Sequence, residues 1–216
     1  YYRALGATNL IAAFATLAMG LPLWWRMRKQ VELAQARLTR LAHYDSTTGQ
    51  LNRNAFNRDL ASCVETCAPG SRIGLLILDI DDFKDINDRF GHHTGDDLLN
   101  QFAARLGSIV RNTDRIYRLG GDEFAVLVQP LDSLEDVGHI ATRLFAPFRT
   151  PIAIEGHRLL ASFSAGISLY PDDALDITTL VAHADAAMYH AKRRGKNLFQ
   201  RFEPRMTEST LRRLRL

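Results

Sequence analysis

The chain has 216 residues, 46% hydrophobic and 24% charged, with a formal net charge of +3; this excludes disordered, collagen-like and disulfide-scaffold chains and allows a buried core. The charge is unevenly spread: residues 1–44 carry six basic side chains against one acidic, residues 45–182 twelve against twenty, and residues 183–216 nine against three. An acidic middle repels phosphate, so a basic groove running the length of the fold is excluded, and with it the nucleic-acid partner that the pI near 9.0 suggests.

The chain begins with Tyr1 rather than Met and reads as a fragment. Residues 4–25 hold no charged side chain over 22 positions, long enough to cross about 30 Å of hydrocarbon. Trp24 and Trp25 would lie at the interface, and Arg26, Arg28 and Lys29 follow at once. The positive-inside rule then places everything downstream in the cytoplasm. The expectation is a transmembrane helix within residues 1–25, with a buried helix of a soluble protein as the alternative. Residues 26–44 read as a charged helical connector. Val31, Ala34, Leu38 and Leu41 have a, d, a, d spacing, which suits a short two-helix seam; a solvated connector is the alternative.

DSTTG at 45–49 is a turn, and residues 53–67 are a helix with Ala55, Phe56, Leu60 and Val64 on one side. Cys63 and Cys67 are four apart on that helix, and read as two reduced thiols rather than a strained bridge. The apolar run 72–80 has strand length. Residues 95–111 form an amphipathic helix, and 115–119 with 123–128 form a hairpin around Gly120-Gly121-Asp122. Residues 133–147 are a helix, 151–155 and 158–169 two strands around Glu155-Gly156, 176–194 a helix, and 198–202 a last strand. The mixed order with hairpins predicts an α+β fold, one antiparallel-rich sheet with helices on its faces.

Two clusters carry chemistry. In LDIDDFKDINDRFGHHTGDDLL, residues 78–99, acids stand where an apolar strand ends. A carboxylate there is costly unless paired or metal-bound. In RLGGDEF, residues 118–124, two glycines allow a tight turn followed by Asp122 and Glu123. If the strands bearing Asp79 and Asp122 are neighbours, their carboxylates converge into a hard-oxygen set suited to Mg²⁺ and substrate phosphates. No P-loop occurs, so the turn and basic side chains would cradle phosphate. On the residues alone, an acidic turn that is merely solvated, with Asp82 capping a helix, stands beside that reading.

These motifs are similar to those of the GGDEF family of diguanylate cyclases. DIDDFKDINDRFGHHTGDDLL resembles that family's DxDxFKxxNDxxGHxxGDxxL segment, and Gly120-Gly121-Asp122-Glu123-Phe124 is its signature. ASFSAGIS (161–168) and ADAAMYHAKRRGKNLF (184–199) resemble two further segments, so the likeness spans residues 45–202. It implies a palm-like sheet, shared with nucleotidyl cyclases and polymerases, and a domain over 45–203. It implies joining of two GTP into cyclic di-GMP with release of two pyrophosphates, by a homodimer of antiparallel domains. The implied cofactor is Mg²⁺ or Mn²⁺, two per site, on Asp79, the Ile80 carbonyl, Asp122 and Glu123. Glu123 would also lie close to the reacting 3′-hydroxyl. Asn87 and Asp96 would read guanine, Lys84, Lys192 and Lys196 would neutralise phosphates, and Phe83 with Gly120 and Gly121 would shape the phosphate pocket. Asp122, Glu123 and Lys84 are the expected catalytic groups; His92 fits the motif with a structural role.

Arg111-Asn112-Thr113-Asp114, just upstream of the signature, resembles the RxxD product site that many members of that family carry, where an Arg fork can bind phosphate or a guanine edge and Asp accepts from guanine; a helix-terminal Arg with an Asp in the following turn is the alternative. Arg111 and Asp114 are thus the expected site of inhibition by cyclic di-GMP. DSTTGQLNR at 45–53 departs from the family's DxLTGLxNR, with Thr47 and Gln50 in place of leucines. The basic tail at 204–216 resembles a linker into an EAL phosphodiesterase domain. The implied setting is the inner membrane of a bacterium, with the domain in the cytoplasm. The alternatives are a silent GTP- or cyclic di-GMP-sensing module regulating such a neighbour, and a purely structural dimerisation module.

Overall fold

A computed structural model of the chain describes residues 22, 24–35, 37–131 and 134–206. The expected membrane span over 4–25 lies almost wholly outside these residues. So does most of the expected linker at 204–216. Among the described residues, no helix is long and apolar enough to cross a membrane.

The described residues divide into two compact units between Ala42 and His43. The first holds the connector helix α1, which is helical over 24–35 and 37–43 and whose last residue falls in the second unit. Arg28 pairs with Glu32 one turn on at 3.1 Å, and its guanidinium lies over the Trp24 ring. Val31, Leu38 and Leu41 are exposed, so the apolar stripe read from the sequence has solvent on it.

The second unit is built on a six-stranded sheet. Its elements run β1 (Leu51–Asn52), α2 (Arg53–Thr66), β2 (Arg72–Ile80), α3 (Phe83–Phe90), α4 (His92–Gly107), β3 (Arg115–Gly120) and β4 (Glu123–Leu131). They continue with α5 (Leu134–Phe145), a 3₁₀ turn, β5 (Ile152–Ile154), β6 (His157–Leu159), β7 (Phe163–Tyr170), α6 (Ile177–Arg193) and β8 (Phe199–Arg201). The strand order is β1-β3-β4-β2-β7-β8, antiparallel in the middle four strands and parallel at both outer pairs. This is the α+β sheet flanked by helices that the order of elements predicts.

β2 is central and buried on both faces, which is why it reads as a continuous apolar run rather than an alternating one. Leu76, Leu78 and Ile80 pack on one side with Leu98, Phe102 and Leu106 of α4. Ile73, Leu75 and Ile77 pack on the other with Leu60 of α2 and Leu180, Ala184 and Met188 of α6. Asp79 continues the second set by alternation, so it faces α6. That helix sits close because β7 offers it Gly166: a Cβ there would lie 2.0 Å from the Ala184 carbonyl oxygen and 2.1 Å from the Met188 nitrogen.

Two expectations and one alternative are corrected. The strand expected over 158–169 is two strands in different sheets. β5 and β6 form a separate hairpin turning at Glu155-Gly156, both at positive φ, and only Phe163 onward pairs with β2. One strand cannot fill both registers, so the strand breaks between Leu159 and Phe163. The helix expected over 95–111 begins at His92 and ends at Gly107. Asp82 stands at the N-cap of α3 but makes no side-chain capping bond; its backbone is left-handed, at φ 57°.

Candidate active site

The β2–β4 pairing places Asp79 opposite Glu123, and the Ile80 N–H donates to the Asp122 carbonyl at 3.2 Å. The two acidic clusters, more than forty residues apart in sequence, therefore meet at one end of the two central strands. Gly120 at φ 143° and Gly121 at φ 54° make the turn between β3 and β4, conformations that side chains oppose. Arg118 holds the turn: its Nε and Nη2 donate to the Gly121 carbonyl at 3.0 and 2.8 Å, while Nη1 meets Asp45 Oδ1 at 2.8 Å.

The carboxylates at the end of β2 are treated differently. Asp81 is 6% exposed and satisfied: Ser164 Oγ donates to Oδ1 at 2.7 Å, and Ser162 Oγ and the Asn197 N–H donate to Oδ2 at 2.9 and 3.0 Å. It ties β2 to β7 and to the turn after α6. Asp79 is 7% exposed and only half satisfied. Lys192 Nζ lies 2.6 Å from Oδ2, while Oδ1 is buried without a hydrogen bond. Burial pushes the Asp79 carboxyl up from its ordinary value, and Asp122 and Glu123 add repulsion against the opposing Lys192.

A buried carboxylate oxygen with no donor, beside two further acids, is a donor set for a divalent cation. Asp79, Asp122 and Glu123 thus fit the metal that the sequence implies. Arg53, at the start of α2, donates through Nε to the Leu119 carbonyl at 2.8 Å and approaches Glu123 at 3.5 Å. Both side chains are substantially exposed, so this last contact is weak. Asp185 of α6 lies within electrostatic reach of Glu123 and Arg53.

A second polar feature lies between α3 and α4. Asn87 Oδ1 is buried without a partner, and it occupies the space a Cβ at Gly95 would need, only 1.9 Å away. Phe83 closes the same gap from the side at 3.4 Å. Asp96 is the next residue on α4 and is exposed. Asn87, Phe83 and Asp96 therefore share one end of the α3–α4 pair.

The lysines are placed unevenly. Lys192 sits on Asp79. Lys196, at φ 61°, holds Asp82 at 2.5 Å. Lys84 is exposed on α3. Arg111 and Asp114 close their own turn: the Arg111 N–H donates to Asp114 Oδ2 and the Asp114 N–H to the Arg111 carbonyl, both at 3.0 Å. They line a shallow depression of about 320 Å³ with Gln50 and Leu51. Sequence reasoning did not single out Arg53, Arg118 or Asp185, although each lies inside or beside a quoted motif.

Residues 42–198 match the family described as "Diguanylate cyclase, GGDEF domain". The chain is 40% identical over 174 residues to the diguanylate cyclase TpbB of Pseudomonas aeruginosa, covering 80% of this chain and 40% of that protein. It is 38% identical over 174 residues to the cyclic di-GMP phosphodiesterase NbdA of the same species, covering 80% of this chain and 22% of that protein. The chain thus spans well under half the length of these curated relatives. The structure of the TpbB GGDEF domain superposes with a TM-score of 0.75 at 37% identity, over 78% of this chain and 99% of that one. Fold, motif geometry and sequence agree: the chain belongs to the GGDEF diguanylate cyclase family.

Proposed function

We propose that the domain condenses two GTP into cyclic di-GMP, releasing two pyrophosphates. One observation supports this reading: the Asp79 carboxylate is buried with one oxygen lacking a hydrogen bond, its other oxygen on Lys192, and Asp122 and Glu123 of the signature near enough to repel it. Asp79, Asp122 and Glu123, with the Ile80 carbonyl, would hold two Mg²⁺ ions. Such ions acidify an attacking hydroxyl and stabilise the leaving oxygens of an in-line displacement. The chain's own groups then do the rest. The Gly120-Gly121 backbone and Lys84 hold the triphosphate, with Lys192 and Lys196 adding positive charge. Asn87 Oδ1 accepts from a guanine N–H, and Asp96 accepts from the same edge. Adenine offers an acceptor there, so the pair favours guanine.

In the reaction, the 3′-hydroxyl of one GTP attacks the α-phosphorus of the other. The bond to the pyrophosphate oxygen breaks, and Glu123 would receive the hydroxyl proton. Repeating the step with the roles exchanged closes the ring. Each domain holds one GTP, so two copies must face each other; the exposed Val31, Leu38 and Leu41 stripe supports pairing through the connector. The Arg111–Asp114 turn would take up product and limit its accumulation. A membrane anchor at residues 1–25, with the domain on the cytoplasmic side, completes the proposal.

The test is the full chain with GTP and Mg²⁺. Pyrophosphate release and cyclic di-GMP formation are expected, with Asp122→Ala abolishing both. Absence of product at high protein concentration, where pairing is forced, overturns the reading. The likeness to NbdA favours a second reading, a GTP-binding domain that regulates a neighbouring phosphodiesterase. Tight GTP binding without turnover would select it.

A further inference from the structure

We propose that His93, Asp97 and Glu155 form a Zn²⁺ site that fastens the β5–β6 hairpin to the first turn of α4. His93 and Asp97 are one helical turn apart, so their side chains share a face of α4. Glu155 comes from a distant part of the chain, at the tip of the hairpin. One ligand atom from each lies within 4.8 Å of the other two. His93 Nε2 is 3.9 Å from Glu155 Oε1, while the other Glu155 oxygen lies 3.1 Å from the hydroxyl of buried Thr94. The threonine orients the carboxylate and leaves Oε1 toward the histidine.

The donor chemistry points to zinc. Two carboxylates and one imidazole match Zn²⁺ ligation, whereas an imidazole is foreign to Mg²⁺ sites. Zinc–ligand bonds of about 2.0–2.2 Å need donors about 3.3 Å apart. The exposed His93 and Glu155 side chains close the remaining ångström by rotation. A fourth position is left for water. Among the described residues, neither Asp97 nor Glu155 pairs with a lysine or arginine, so the two negative charges meet only His93. The helix N-terminus opposes a cation by about half a charge, against two full carboxylate charges.

Asp96, the proposed guanine reader, follows between His93 and Asp97 on the same turn. Zinc would therefore fix the end of α4 that carries nucleotide recognition, while its ligands stay apart from Asp79, Asp122 and Glu123.

The probe is the metal itself, on the full chain without nucleotide or Mg²⁺. Asp79→Asn, Asp122→Asn and Glu123→Gln, with the double substitution Cys63→Ser/Cys67→Ser, silence the other acidic set and the thiols in the background used for the measurement. Equilibrium dialysis should show one Zn²⁺ per chain, and Co²⁺ should give visible bands of a low-coordinate N/O site. His93→Ala and Glu155→Gln should each weaken Zn²⁺ binding at least about tenfold and abolish the Co²⁺ bands. Unchanged circular dichroism would show that these exposed substitutions leave the fold intact. No stoichiometric binding, or binding equal in parent and both variants, would overturn the site.

Discussion

Lys192 Nζ lies 2.6 Å from Asp79 Oδ2, an ion pair that joins the last turn of α6 to the end of the central strand. The lysine puts positive charge where the acids Asp79, Asp122 and Glu123 crowd. Without it, a buried carboxylate faces two others uncompensated. Lys192→Met should therefore cost about 1–2 kcal/mol in urea unfolding without Mg²⁺, allowing for the partial exposure of the lysine. Millimolar Mg²⁺ should recover more stability in this variant than in the parent, because the ion and the ammonium neutralise the same charge. Asp79→Asn should abolish the Mg²⁺-dependent gain and lower turnover by about a hundredfold or more.

Gly95 and Asn87 give a test of nucleotide recognition that leaves the acids alone. A Cβ at Gly95 would meet Asn87 Oδ1 at 1.9 Å, so the amide must swing away in Gly95→Ala. Alanine itself suits a helix better than glycine, by about 1 kcal/mol. The variant should therefore melt within a few degrees of the parent while its KM for GTP rises about tenfold, one hydrogen bond to a buried partner. Discrimination against ATP should fall in parallel. Steady-state kinetics with both nucleotides checks this; an unchanged KM would show that Asn87 does not touch the base.

The sequence made most of the strands and helices legible, along with the two acidic clusters on β2 and at the start of β4, because each rests on local pattern: an apolar run of strand length, Gly-Gly before acids, helical periodicity. What stayed hidden depends on long-range pairing. Asp79 and Asp81 look alike in DID, yet Ser162, Ser164 and Asn197 satisfy one and leave the other to a lysine. Those partners lie about eighty residues or more downstream; the β2–β7 register brings in the serines, and the turn after α6 brings in Asn197. Likewise, the strand read over 158–169 failed because alternation cannot tell which of two sheets a residue joins. Arg118 carries no chemistry of its own in the sequence; its role appears only when Asp45 and the Gly121 carbonyl meet at its guanidinium.

Asp59 predicts the acid limb of stability. It is 7% exposed on α2 and accepts from Arg115 at 2.6 Å, from the Tyr117 hydroxyl at 3.0 Å and from Arg58 at 2.9 Å. Burial raises its carboxyl, but these donors outweigh burial and hold it below the ordinary 3.8. A depressed carboxylate contributes stability that is whole above its unfolded value and lost as pH falls through the folded one. The parent should lose this stability as pH drops below about 4. Asp59→Asn should be destabilised at pH 7 by about 1–3 kcal/mol, and the gap to the parent should narrow as pH falls. Urea titrations at a series of acid pH values would show it; a gap independent of pH would mean that packing, not charge, holds the site.

Gly166 sets the distance on which the active cleft depends. A methyl group there would stand 2.0 Å from the Ala184 carbonyl oxygen and 2.1 Å from the Met188 nitrogen, both backbone atoms of α6. Neither can rotate away, so the helix must lift from β7. Lys192 lies one turn beyond Met188 on the same helix, and its 2.6 Å contact with Asp79 would stretch as the helix moves. Gly166→Ala should therefore do two things at once: destabilise the domain by about 2–3 kcal/mol through overpacking, and lower turnover although it touches no reacting group. Lowering the temperature should restore folding, read by circular dichroism. Turnover should stay depressed in the refolded protein, because the helix remains displaced. Full recovery of turnover with folding would mean that α6 serves only to bury the sheet, and that its distance from β2 does not govern the site.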